Sequence, residues 1–194
     1  MNHLPRAYVL GLAVLLAGCS SIPLPSLVQL IRINAETTDL AELRVAVRLP
    51  DALKPRPGGV NMDVLVKASG APDQKTTLQL TETRDPADLS GLSGAVRPGF
   101  SIYAYRLAPS DIERLVLMRA ALLKQRQEGK RGGSLGIGIA TKEFCVVGAL
   151  PSGPLLLTTY LLTSETRSYV VVSNDLDLSK EPAFAAELTR LRSC

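Results

Sequence analysis

The sequence predicts a mainly β protein: an antiparallel β-sandwich with one packed or inserted α-helix, the alternative being an α+β sheet carrying the helix on one face. Two observations carry that expectation. Short stretches in which apolar and polar residues alternate recur between Pro- and Gly-rich breaks, as half-buried strands require. Only one long stretch, starting at Pro109, repeats its apolar residues at helical spacing.

Taken in order, Leu27 to Ile33 alternates with Val28 and Leu30 on one side and Leu27, Gln29, Ile31 and Ile33 on the other, and it predicts a first strand. Leu43, Val45, Val47 and Leu49, separated by Arg44, Ala46 and Arg48, predict a strand with one buried and one solvated face. Asp51 to Gly59 holds Pro55, Pro57, Gly58 and Gly59 and reads as a loop. Met62 to Ala68 and Thr76 to Thr83 alternate again. Asp85 to Gly99, with Pro86, Gly91, Gly94 and Pro98, reads as a long connection that is either functional or mobile.

Phe100 to Leu107 predicts an aromatic-rich strand in which Tyr103 and Tyr105 share a face with Leu107. Ser110 and Glu113 form a capping-box pattern, so a helix should start there, burying Ile112, Leu115, Val116, Leu122 and Leu123 and ending before Gly129. Ser134 to Val147 returns to strand spacing, with Leu135, Ile137 and Ile139 opposite a bare face of Gly136, Gly138 and Ala140 that would let a neighbour approach closely. Leu155 to Leu162 and Tyr169 to Ser173 predict a hairpin turning at Ser164 to Arg167. Phe184, Leu188 and Leu191 predict a short closing helical segment.

The first residues have a different grammar. Arg6 precedes an apolar run from Ala7 to Leu16, which is the pattern of a secretory signal and too short to span a bilayer. The run ends on Leu16, Ala17, Gly18 and Cys19, which resembles the lipobox of bacterial lipoproteins. That resemblance implies a signal peptide at 1–18, acylation of Cys19, a tether at 19–26 and one extracytoplasmic domain at 27–194. It also implies a membrane partner through the lipid anchor, and Ser20 and Ser21 in place of an aspartate imply the periplasmic face of the outer membrane rather than the inner. Ser20 to Ser26, with Pro23 and Pro25, reads as extended chain.

Composition restricts the functions open to the chain. Its 22 Lys and Arg face 18 Asp and Glu; without Arg6 the balance is 21 against 18, a mild excess that does not point to nucleic acid. The one histidine, His3, lies in the signal segment. A mature chain without imidazole excludes the usual Ser-His-Asp and Cys-His arrangements, and no Ser or Thr precedes a lysine by three positions. No cofactor or metal site is expected. Gly91, Leu92, Ser93 and Gly94 approach a nucleophile elbow, but Ala95 stands where a glycine should close it. Gly132, Gly133, Gly136 and Gly138 follow a helix instead of opening one, unlike a phosphate cradle. Asn174, Asp175 and Asp177 read as a solvated strand end rather than a cation loop.

Two further features remain. Cys145 and Cys194 are the cysteines left after acylation, and pairing them closes a loop of about fifty residues worth about 4 kcal/mol. Lys124, Arg126, Lys130 and Arg131 form a basic cluster at the helix end, suited to the helix dipole or to an anionic partner. The expectation is an interaction or assembly module of an envelope transport or secretion complex, with an envelope protein as partner. The alternative is a binding module for an apolar or anionic small molecule. A hydrolase using Glu143 or Asp175 has the least behind it, because no second carboxylate is placed at a defined separation.

Overall fold

The computed structural model describes residues 22–68, 72–128, 133–188 and 190–194. The signal segment, Cys19, Gly129, Lys130, Arg131 and Gly132 lie outside the described residues. The chain folds as an antiparallel β-sandwich with a packed helix, as the alternation predicts.

The larger sheet has the order β10-β9-β1-β6-β5, formed by β1 (Arg44–Pro50), β5 (Thr81–Thr83), β6 (Phe100–Arg106), β9 (Leu156–Leu162) and β10 (Val170–Asp177). The smaller has the order β4-β3-β7, from β3 (Val60–Ala68), β4 (Gln74–Gln79) and β7 (Gly133–Thr141). A two-stranded ladder joins β2 (Leu53–Pro55) to β8 (Phe144–Val146). One core fills the space between the sheets: Val45, Val47 and Leu49 of β1 and Leu157 of β9 meet Val60, Met62, Val64 and Leu78 of the smaller sheet. Leu115 of α3 (Pro109–Gln127) and Phe184 of α4 (Pro182–Leu188) complete it. Phe184 stands edge-on to Phe144, ring centres 5.2 Å apart.

Several elements differ from expectation. The stretch at Leu27 is no strand, and the tether is not extended throughout: Leu24–Leu30 is a helix, α1, with Pro25 in its first turn where a missing N–H costs nothing. Its buried side runs through Ser26, Leu30 and, just beyond its end, Ile33, at spacings of four and three. Asp51 to Gly59 contains the strand β2 because Leu53 drops fully into the core. The expected strand Thr76 to Thr83 is two strands: β4 pairs with β3, β5 pairs with β6, and the buried Leu80 turns the chain from one sheet to the other.

The capping box does not form. Ala108 takes the N-cap position and Pro109 begins α3, so Ser110 lies within the first turn. The helix also buries less than predicted. Leu115 is buried, but Val116 and Leu117 are 49% and 71% exposed. Arg119 fastens it by donating to the carbonyls of Glu36 and Thr38, at 3.2 and 2.9 Å.

Cys145 and Cys194 are disulfide-bonded, with Cα atoms 5.0 Å apart. Backbone bonds from Cys194 N–H to the Val146 carbonyl and from Val146 N–H to the Arg192 carbonyl, both 3.0 Å, lay the closing segment along β8. The bare side of β7 draws no close neighbour among the described residues. A Cβ at Gly136 or Gly138 would meet only Leu65 at 3.7 Å or Asp63 at 3.9 Å, ordinary contacts within the same sheet.

Candidate functional site

Both sheets have an open edge on the side where α1 packs. The smaller sheet ends in β7 and the larger in β10, and these edges do not pair, so the inner faces separate into a cleft of about 450 Å³. Leu135, Ile137 and Ile139 of β7 form one wall, and Leu161 and Val172 of β9 and β10 form the other. Ile22, Leu30, Ile33 and Ala35 from α1 and its flanks close one side. The volume falls within the range of about 300–1,000 Å³ typical of small-molecule sites.

The cleft's chemistry is simple. Among the described residues no titratable side chain lines it, and its polar side chains are Thr159 and Ser173, which face each other in the β9–β10 register. Such a lining favours hydrocarbon and offers hydroxyls to an ester or amide carbonyl, but no acid, base or nucleophile with an activating partner.

On the opposite face of the larger sheet lies a second feature that the sequence concealed. Alternation along β1 predicts a solvated Arg48, yet it is 3% exposed. The Asp85 to Gly99 segment is the cause. It forms a short helix, α2 (Pro86–Leu89), and a 3-10 turn at Ser90–Ala95 that set Leu92 against Ala46, Ala104 and Tyr160. The Gly91 to Gly94 motif therefore forms part of a packed cover, with no strand-to-helix elbow. Asp88 pins one end: its carboxylate takes bonds from Arg44 and Thr83, and its carbonyl accepts the Tyr169 hydroxyl at 2.8 Å.

Arg48 pins the other end. Nη1 donates to the Ala95 carbonyl at 3.1 Å and to Tyr160 Oη at 2.8 Å, while Nη2 donates to Thr158 Oγ1 and Asp175 Oδ1, each at 2.9 Å. Arg97 reaches the other oxygen of Asp175 at 3.3 Å. The guanidinium also lies 5.7 Å from the centre of the Phe100 ring. Burial pushes the Asp175 carboxyl up, but hydrogen bonds from Thr158, Arg97 and Arg48 outweigh it, and its pKa lies below the ordinary 3.8. Asp175 is thus an ion-pair partner rather than a solvated strand end. Asp177 caps the next turn, accepting from the N–H groups of Ser179 and Leu155.

The remaining expected residues do not converge. Glu143 lines a separate depression of about 430 Å³ with Arg56, Glu187, Arg190 and Arg192, away from Asp175. Among the described members of the basic cluster, Lys124 is exposed, whereas Arg126 is ion-paired to Glu36 and helps hold α3 to the segment before β1. Tyr105 is buried and Tyr103 half-buried, so the pair belongs to the core, as the face they share with Leu107 predicts. Among the described residues, no three His, Cys, Asp or Glu side chains come together as metal ligands would, and no helix is long and apolar enough to cross a membrane.

Two features of the fold were not read from the sequence, the cleft and the buried Arg48. The cleft depends on two strand edges that diverge in space, which no local pattern records. Arg48 alone left a trace, as a charge between Val47 and Leu49 in a strand whose other charge, Arg44, stands at its first position. Compared with protein-family models, with curated proteins and with solved structures, the chain matches none.

Proposed function

We propose that this chain is a membrane-anchored lipoprotein of a bacterial envelope, attached through Cys19, whose folded part works by non-covalent binding and takes the hydrocarbon of a lipid into the cleft between its sheets. The carrying observation is the apolar cleft of about 450 Å³ beside α1, without an ionisable group among the described residues of its lining. Anchoring is supported by the lipobox pattern ending at Cys19, and the periplasmic face of the outer membrane by Ser20 and Ser21 after it.

Native mass spectrometry of the protein extracted from membranes tests the ligand. A co-purifying lipid is expected, and Ile137→Arg should release it while leaving the fold intact, because Ile137 is 37% exposed at the cleft. A chain that is empty when extracted and takes up no added phospholipid would remove this reading. Anchoring has its own test: Cys19→Ser should abolish incorporation of labelled fatty acid, and label on that variant would refute acylation at Cys19.

A second reading, docking to a protein component of an envelope transport or secretion complex, draws on a different observation. Val116 and Leu117 are exposed on α3, about two to three turns from Lys124 and Arg126. Cross-linking in membranes would recover such a partner, and Leu117→Glu should weaken recovery. The two readings are compatible, since the cleft and the outer side of α3 use different residues.

A further inference from the structure

The helix α1 is apolar on two sides. Ser26, Leu30 and the following Ile33 turn toward the fold. On the other side Leu24, Leu27, Val28 and Ile31 are 78%, 39%, 60% and 83% exposed, at spacings of three, one and three that form one continuous stripe. From Ile22 to Ile31 there is no charged residue, and Arg32 follows with its side chain exposed. A seven-residue helix that offers this much hydrocarbon to water needs a cover.

We infer that α1 lies in the surface of the lipid bilayer, its outer stripe of Leu24, Leu27, Val28 and Ile31 inserted among the acyl chains and Arg32 set against lipid phosphate. The inference rests on the anchored reading. Leu24 is five residues beyond Cys19, so an acyl group there keeps the helix within about 17 Å of its attachment point, at about 3.4 Å per residue. The diacylated cysteine that the lipobox implies is a stable anchor by itself, so α1 adds position at the bilayer surface rather than attachment.

A second copy of the chain is the weaker occupant. The helix is only about 10 Å long at 1.5 Å per residue, and four side chains fall well short of the roughly 800 Å² per partner of a stable interface. Because the inner side of the same helix walls the cleft, the cleft would then stand beside the lipid it takes up.

The sequence contains no tryptophan, so one introduced ring reports a single place. Val28→Trp and, separately, Leu117→Trp on α3 are made in the full chain, purified from membranes and reconstituted in phosphatidylethanolamine and phosphatidylglycerol vesicles with brominated or plain acyl chains. The Val28→Trp emission should fall about twofold with brominated lipid, as expected ~5–10 Å below the headgroups, while Leu117→Trp should not change. Adding Ile31→Glu to Val28→Trp should remove the quenching while the chain still floats with the vesicles.

Floating protein with unquenched Val28→Trp overturns the inference and leaves the anchor intact. Equal quenching of both rings overturns it as well. Concentration-dependent shielding of Val28→Trp without vesicles assigns the stripe to a second copy and overturns it too. A chain without acyl groups that does not float refutes the anchored reading, and this inference with it.

Discussion

Arg48 and Asp175 meet at 2.9 Å across three strands of the larger sheet, one on the central β1 and the other on the edge strand β10. The same guanidinium holds the Ala95 carbonyl, so a single side chain ties sheet, edge and cover together.

Arg48→Met should therefore cost about 3 kcal/mol, the lower part of the range for removing one partner of a buried pair, since Asp175 keeps some contact with water. Arg48→Lys should lose less in charge but still forfeit the forked bonds to Thr158 and Tyr160. Urea unfolding measures both, and an unchanged midpoint in the methionine variant would contradict the role assigned to Arg48.

Acid should act on the same pair. Folding lowers the Asp175 carboxyl below its ordinary 3.8, and Asp88 is lowered too, burial there being outweighed by bonds from Arg44 and Thr83. A carboxylate lowered on folding gives stability that is complete above its unfolded value and lost as pH falls through the folded one. Thermal midpoints should thus fall as the pH drops below 3.8, and Asp175→Asn should flatten part of that fall. A variant with the wild-type acid profile would show that Asp175 is not the group concerned.

Reducing the Cys145–Cys194 bond should lower stability by up to about 4 kcal/mol through the freed loop. Neither thiol should alkylate in denaturant until reductant is added. Mass spectrometry of the alkylated peptides decides this, and labelling of both without reductant would disprove the bond.

Leu92→Ser should destabilise the cover over Ala46 and Tyr160. About 3 kcal/mol is expected from emptying a buried leucine site, with faster proteolysis between Asp85 and Gly99 than elsewhere. Resistance equal to the parent chain would mean that Leu92 does not hold the segment down.

How far each element could be read from the sequence depends on the range of its cause. β1 and β3 were legible because alternation is local and one face of each meets the core. The cysteine pair came from counting. α1 was misread because Leu27 to Ile33 is apolar at nearly every position and satisfies both periods; its prolines also suit a first helical turn as well as an extended chain. Arg48 looked solvated because the residues that cover it lie some forty positions later. The cleft was invisible for a related reason: Ile137 and Val172 become opposite walls only after two separate sheets have formed.

The bulged path of β10 has a consequence for solubility. Its register with β9 shifts between Val171 and Ser173 and again before Leu176, and Asp175 sits between with a left-handed φ of 47°. A strand broken in this way presents no regular row of backbone donors and acceptors for another molecule to copy, and β5 at the far side of the sheet is only three residues long. The ion pair that fixes Asp175 thus also holds this edge of the larger sheet in its irregular path. Losing it should reveal itself as fibrils or precipitate on prolonged storage, even where the remaining folded protein looks normal.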